Sequence, residues 1–191
     1  MKVVAINGSA RKDGNTAILI KHALAALQEQ GIATEMLQMA GKTLAGCRAC
    51  GWCAKNKNNR CVIDDDDLNM YLERIITADG IILGSPTYFA DVSSQMKALI
   101  DRIGYVARNN GHSLRYKVGA AVIAVRRGGA IHAFDTINHF FQISHMFIPG
   151  TDYWNVGIGR SIGEVENDAE GMGTMKNLGI NMGYLLRKLK Q

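Results

Sequence analysis

At 191 residues the chain is sized for about one domain, and its 47% apolar and 20% charged residues describe an ordinary folded protein rather than a disordered or collagen-like one. Twenty-two Lys and Arg against 17 Asp and Glu leave a net charge of +5, which favours acidic partners. The basic residues are scattered in runs of no more than two, among them Arg126-Arg127 and Arg187-Lys188, without the interleaved aromatics of a stacking platform, so no nucleic acid is expected. No apolar run approaches the roughly 18 to 20 residues of a membrane helix, and no basic, apolar leader precedes Lys2. No membrane association and a cytoplasmic location are the expectations.

Val3-Val4-Ala5-Ile6, in a strand opening at Lys2, is apolar at every position, as a strand covered on both faces must be. Thr16 to Gln30 follows with Ile20, Leu24 and Leu27 on one helical face, and Gly31 stands where a C-terminal cap belongs. The second strand spans Ile32 to Met39. From Ala40 to Asn59 the sequence has no period and contains three cysteines, which predicts a long loop, and long loops in compact domains tend to be functional. Behind the acidic run Asp64 to Asp67, Leu68, Tyr71, Leu72, Ile75 and Ile76 recur at helical spacing; the aspartates suit a helix start and are expected to be structural rather than a cation site.

Gly80 to Gly84 is the third strand, and Met96, Leu99, Ile100 and Ile103 mark the next helix, introduced by Ser93 or Ser94. Lys117 to Val125 is the fourth strand; Phe134, Ile137 and Phe141 predict a helix, Met146 to Ile148 a short fifth strand, and Met175, Leu178, Met182, Leu185 and Leu189 a final long helix. This alternation predicts an α/β three-layer sandwich with a five-stranded parallel sheet, in a single domain over residues 1–191 with a cysteine-rich loop insertion at about 40–63.

In open parallel sheets ligands bind beyond the carboxyl ends of the strands, where the strand order reverses. After strand one comes Gly8-Ser9-Ala10-Arg11-Lys12-Asp13-Gly14-Asn15-Thr16, whose backbone N–H groups, helix dipole, Ser9 and Thr16 hydroxyls and Arg11 make a phosphate cradle. It is neither the dinucleotide Gly-x-Gly-x-x-Gly pattern nor the Gly-Lys-Ser/Thr of a nucleotide triphosphatase, so a single phosphate fits better. After strand three, Gly84-Ser85-Pro86-Thr87-Tyr88-Phe89-Ala90-Asp91-Val92-Ser93 offers a stiffened turn, hydroxyls and flat apolar surface. After strand four, Arg126-Arg127-Gly128-Gly129 offers close backbone approach and a cation to oppose an anionic ring edge. Three such loops in one crevice predict a phosphorylated planar ligand. His22, His112, His132, His139 and His145 follow no ligand spacing, and Gly157-x-Gly159 before Gly163 is expected to be a flexible loop rather than a dinucleotide motif.

The segments Gly8-Ser9-Ala10-Arg11-x-x-Gly14-Asn15-Thr16 and Gly84-Ser85-Pro86-Thr87-Tyr88-Phe89 with Val92-Ser93 resemble the FMN-binding signatures of the flavodoxin-like NAD(P)H-dependent FMN reductase superfamily. The cysteine loop is similar to that of its iron-sulfur flavoprotein branch, and the similarity runs through nearly the whole chain, including Tyr153-Trp154-Asn155. The resemblance implies a flavodoxin-like fold, with Ser9, Arg11, Asn15 and Thr16 holding the FMN phosphate. It also implies that Pro86, Thr87, Tyr88 and Phe89, together with Arg126, Arg127, Gly128 and Gly129, line the isoalloxazine. Ala10 departs from the proline common in these loops, which loosens the loop without removing a donor. Arg11 and Thr16 are expected on an exposed part of it.

Cys47, Cys50, Cys53 and Cys61 form C-x2-C-x2-C-x7-C. Three thiolates at successive three-residue spacing can curl around one 4Fe-4S cube with the fourth returning from beyond, as in the related ferredoxin run. A zinc site more typically uses two C-x2-C knuckles over a longer spacer. The cluster is the leading reading, with zinc and free or oxidised thiols as alternatives. The resemblance then implies an FMN-dependent oxidoreductase moving electrons between ferredoxin or NAD(P)H and a small-molecule acceptor, with no catalytic side chain because the flavin performs the chemistry. The alternatives are an NAD(P)H-dependent FMN or quinone reductase without a functional cluster, and a flavodoxin-like electron carrier. A homodimer or homotetramer is expected from the same resemblance.

Overall fold

The structure, a computed structural model, describes residues 1–190. In chain order it runs β1 (Lys2–Asn7), α1 (Asn15–Gln28), β2 (Ala33–Gln38), α2 (Trp52–Asn56), α3 (Leu68–Thr77), β3 (Gly80–Pro86), α4 (Ser94–Asn109), β4 (Val118–Val125), α5 (Ala130–Ile143), β5 (Val156–Ile158) and α6 (Ala169–Leu189), with a 3-10 turn at Glu164–Asn167. All five strands are parallel, in the order β2-β1-β3-β4-β5, the flavodoxin-like sandwich expected. The chain moves outward from β1 to β2 and then crosses to β3 on the other side of β1, so the order reverses between β1 and β3.

Successive side chains of a strand point to opposite faces, and the apolar runs are covered on both. Val3, Ala5, Ile82, Ala120 and Val122 pack with Leu19 and Ile20 of α1 and Leu178 and Met182 of α6. Val4, Ile6, Ile81, Leu83 and Ala121 pack on the other face with Leu72 of α3, Leu99 and Ile103 of α4 and Phe141 of α5. Ser93 caps α4, its hydroxyl accepting the Met96 N–H at 3.2 Å.

Two regions differ from the sequence reading. Met146 to Ile148 is not the fifth strand: Phe147 makes only an isolated parallel bridge with Val118, its carbonyl accepting the Gly119 N–H at 2.8 Å. Pro149, having no N–H to continue a ladder, follows directly. The chain returns to the sheet at Asn155, whose carbonyl accepts the Ile123 N–H at 2.9 Å, and β5 then pairs with the C-terminal end of β4. Gly157-x-Gly159, expected as a flexible loop, therefore begins inside a strand. A Cβ on Gly157 would lie 2.5 Å from Leu19 Cδ2, so the residue is small where α1 crosses the sheet. The cysteine segment also contains α2, entered from Gly51 at φ +71°; a five-residue helix is too short to impose a visible period. Among the described residues no helix is long and apolar enough to cross a membrane.

Candidate functional site

The loops after β1, β3 and β4 meet at the order reversal and line one cleft of about 170 Å³. Ser9, Arg11, Gly14, Asn15 and Thr16 come from the first loop and the start of α1, Pro86, Thr87 and Tyr88 from the second, and Ala124, Val125 and Arg126 from the end of β4. Gly159 and Arg160, just beyond β5, complete it and were not anticipated from sequence.

The first loop is pinned at Gly8. Its N–H donates to the Gly84 carbonyl at 2.8 Å and its carbonyl accepts the Ser93 hydroxyl at 2.7 Å, while the Ser93 N–H donates to Ser85 Oγ at 2.9 Å. A Cβ on Gly8 would lie 3.0 Å from the Gly84 carbonyl oxygen, so this approach suits glycine. Ser9 is buried, and its Oγ accepts the Arg11 N–H at 3.0 Å, which turns the chain toward α1. Helix α1 follows Gly14 at the cap position, with no side-chain cap and no acidic residue in its first turn. Its leading N–H groups and positive dipole end are left for an outside anion.

Thr16 is buried rather than exposed; its Cγ2 would lie 3.1 Å from a Cβ on Gly84. Asn15, implied as a phosphate contact, has its side chain engaged elsewhere. Nδ2 donates to the carbonyls of Gly159 at 3.0 Å and Ser161 at 2.9 Å, and Oδ1 accepts the Gly163 N–H at 2.9 Å. Asn15 thus clasps the 159–163 segment and brings Arg160 to the cleft. Glu164 reinforces the clasp by accepting the Arg160 and Ser161 N–H groups at 2.6 and 2.8 Å, which hold its carboxyl below the usual range.

On the opposite wall the Thr87 N–H donates to the Ala124 carbonyl at 2.8 Å, and Thr87 Oγ1 is buried without a partner. Tyr88 and Asp91 exchange backbone hydrogen bonds of 2.8 and 3.1 Å, closing a tight turn whose central residues, Phe89 and Ala90, lie at φ +46° and +64°. Such a turn needs positive φ at both positions, and it leaves Phe89 fully exposed at the tip, away from the cleft lining. Arg127, Gly128 and Gly129 are exposed, and of the Arg126-to-Gly129 run Arg126 alone lines the cleft. Gly129 instead starts α5 at φ +84° and buttresses the turn, where a Cβ would lie 3.2 Å from Ala90 Cα. The uncapped helix end, Arg11 and the unpartnered Thr87 hydroxyl fit a phosphorylated planar group such as FMN.

The four cysteines line a second, small pocket together with Arg48, Gly51, Val62, Ile63, Arg102, Tyr105 and Val106. None is in a disulfide; Cys47 and Cys50 are exposed, Cys61 is half-buried and Cys53 is buried, and burial pushes the Cys53 thiol up. Among the described residues no three His, Cys, Asp or Glu side chains are gathered tightly enough to hold a single metal ion. A cube-shaped cluster spreads its thiolates over its corners, wider than a tetrahedral ion with sulfurs at about 2.3 Å. Four thiols around one apolar-walled pocket fit such a group in donor chemistry.

The loop is fastened by polar side chains that the sequence reading missed. Asn69 Oδ1 accepts the Cys61 N–H at 2.9 Å and its Nδ2 donates to the Cys61 carbonyl at 3.0 Å. Asn110 Oδ1 accepts the Asn59 N–H at 2.8 Å. Asp66 accepts the N–H groups of Ala45 and Leu68, both at 3.1 Å, and pairs with buried Arg102. Burial alone would raise the Asp66 carboxyl, but hydrogen bonds from Arg102, Ala45 and Leu68 outweigh it and hold it below its ordinary value. Within the acidic run Asp66 serves the cysteine loop as well as the helix start, and Asp67 pairs with Lys42 at 2.9 Å. Arg102 had a sequence signal: it falls three residues after Leu99 and four before Val106, on the apolar face of α4.

The model of the family described as NADPH-dependent FMN reductase matches residues 1–161. An iron-sulfur flavoprotein of Methanocaldococcus jannaschii is 39% identical over 198 residues, covering 100% of both chains. An iron-sulfur flavoprotein of Methanosarcina thermophila is 36% identical over 177 residues, covering 92% of this chain and 90% of its own. Among solved structures, a flavodoxin from the domain Archaea superposes with a TM-score of 0.63 at 17% identity, covering 100% of each chain, a likeness of fold.

Proposed function

The chain belongs to the NADPH-dependent FMN reductase family, in its iron-sulfur flavoprotein branch, and from that premise we propose how this FMN-dependent oxidoreductase is furnished. FMN occupies the cleft between the loops after β1, β3 and β4, and a 4Fe-4S cluster is held by Cys47, Cys50, Cys53 and Cys61. Electrons move between a carrier such as ferredoxin, or NAD(P)H, and a small-molecule acceptor. When bound, FMN supplies exchange of two electrons or one and the cluster exchange of one.

The chain itself binds and orients. The uncapped start of α1, with Arg11, receives the phosphate. The Asn15 clasp keeps Arg160 beside the same cleft, and Thr87 Oγ1 is available to a polar edge of the ring. No side chain is assigned as nucleophile, acid or base.

One observation carries the reading: the same fold presents a cleft with an unsatisfied hydroxyl and an open helix end, and separately a four-thiol pocket without a competing histidine or carboxylate. An acidic carrier is supported by exposed Arg48, Lys55, Lys57 and Arg60 on the cysteine loop, where no acidic residue occurs from Ala40 to Cys61. Free thiols suit a reducing, cytoplasmic setting. An apolar hollow of about 460 Å³ between α4 and α5, lined by Ile100, Leu114, Phe140 and Ile143, supports assembly into a homodimer or homotetramer.

The test is protein purified without oxygen, assayed for iron, sulfide and FMN, and for turnover with reduced ferredoxin, NADPH and NADH. The expected result is about four irons and one FMN per chain, with iron lost and FMN kept when any of the four cysteines becomes Ala. Protein that holds zinc and no iron overturns the cluster. Turnover with NADPH by iron-free protein supports instead the reductase without a functional cluster.

A further inference from the structure

Among the charged side chains outside the FMN cleft, Arg102 is the most completely buried, at 1% exposure. It leaves α4 on the helix's apolar face and ends among the cysteines. Nη2 donates to Cys61 Sγ at 3.4 Å and to the Ile63 carbonyl at 3.1 Å, while Nη1 donates to the Ala45 carbonyl at 3.2 Å and pairs with Asp66. Nε is buried and has no partner. Because the side chain lines the four-cysteine pocket, a buried cation borders the space that the sulfurs enclose.

A buried guanidinium costs several kcal/mol in desolvation unless its charge and all its donors are answered. Asp66 answers the charge, and Ala45, Ile63 and Cys61 answer the terminal nitrogens. Packing of α4 does not require this arrangement, since Leu99, Ile103 and Val106 fill the neighbouring positions with aliphatic side chains.

We infer that Arg102 is the potential-setting residue of the cysteine site: a fixed cation whose Nη2 donates to the ligand sulfur of Cys61 beside the group bound there. The inference rests on the cluster reading above and deepens it. One-electron reduction adds one negative charge to a cluster, forms no bond at the protein and needs no proton from Arg102, which stays a guanidinium throughout. A neighbouring cation and N–H···S hydrogen bonds favour the more negative state and raise the reduction potential, net charge and such bonds being among the factors that set it. Asp66, one step further from the sulfurs, opposes this effect and fixes the orientation of the fork. Arg102 is thus a positioning residue: it acts through Cys61 and the cluster.

The test uses full-length, FMN-loaded protein with anaerobically assembled cluster. Reductive titration with dithionite, followed by electron paramagnetic resonance, gives the cluster midpoint, and the flavin midpoint serves as control. Removing both charges together, Arg102→Gln with Asp66→Asn, avoids stranding a buried carboxylate. It is expected to lower the equilibrium constant for cluster reduction by about tenfold, 59 mV for a one-electron couple, with the flavin midpoint unmoved. Asp66→Asn alone leaves the cation uncompensated and is expected to shift the midpoint the opposite way, so the sign survives as a check if the double variant assembles poorly. Iron-replete wild type with midpoints unchanged in both variants, or shifted the same way in both, overturns the role of Arg102 while leaving the cluster intact. Iron-free wild type overturns the cluster reading and this inference together.

Discussion

Arg11, on the loop after β1, and Asn15, at the start of α1, stand four residues apart, and the structure gives them different work. Arg11 is exposed at the cleft rim, so Arg11→Ala is expected to weaken FMN binding by the worth of a charge-assisted hydrogen bond, about 1.5–3 kcal/mol, without moving the thermal midpoint of the apoprotein. Equal FMN dissociation constants for wild type and variant, by fluorescence titration, would remove Arg11 from the phosphate site. Asn15 makes three side-chain hydrogen bonds to the 159–163 segment. Asn15→Ala is expected to cost about 1–3 kcal/mol of stability and to speed amide exchange at Gly163, whose N–H it accepts. Protection at Gly163 equal to wild type would deny the clasp. The family resemblance implied both residues for one task because a motif records residue type and proximity along the chain. It does not record that a segment almost 150 positions away folds over the helix end, nor that Thr16 turns inward beneath Gly84.

At the level of elements, legibility followed burial. Strands covered on both faces declare themselves as unbroken apolar runs, and β1, β3 and β4 were read within two residues of their ends. The fifth strand failed because the edge of β4 is served in two pieces, an isolated bridge at Phe147 and the three-residue β5, with Pro149 to Trp154 between them. Met146 to Ile148 is the more apolar piece, and Val156-Gly157-Ile158 looks like a loop because Gly157 is shaped by the helix above it rather than by the sheet. The same logic governs α1 against α6. A Cβ on Gly179 would lie 2.4 Å from the Ala23 carbonyl oxygen and 2.7 Å from Ala26 Cβ, backbone and near-backbone atoms that cannot rotate aside. Gly179→Ala therefore trades a better intrinsic helix former for a clash and is expected to destabilise by about 1–3 kcal/mol, read as a lower urea midpoint. A midpoint equal to or above wild type would mean that α6 can shift outward freely.

Across the whole molecule, charge acts at the two chain ends and on the cysteine loop, with different consequences. Asp79, just before β3, accepts the Lys2 N–H at 2.8 Å and pairs with Lys190 at 2.8 Å, so one carboxylate ties both ends of the chain to the sheet. Burial opposes its ionisation, but these partners prevail and hold its carboxyl below the ordinary value. A carboxyl depressed in the folded state contributes stability that is present above its unfolded value of about 3.9 and is lost as pH falls through the folded one. The difference in thermal midpoint between wild type and Asp79→Asn is therefore expected to be largest near neutral pH and to narrow progressively as pH falls below about 4; a gap of constant size from neutral into the acid range would assign the effect to something other than ionisation. On the cysteine loop, Arg48, Lys55, Lys57 and Arg60 are exposed with no acidic residue among them, concentrating on one loop much of what the net charge of +5 spreads over the surface. Long-range attraction of this kind acts chiefly on association rate and is screened over a Debye length of about 8 Å at physiological salt. The second-order rate of electron transfer from an acidic ferredoxin is expected to fall steadily with ionic strength, and Lys55→Gln with Lys57→Gln to lower the low-salt rate and flatten the slope while leaving iron and FMN content unchanged. A slope identical in wild type and the double variant would place the docking of the carrier elsewhere on the surface.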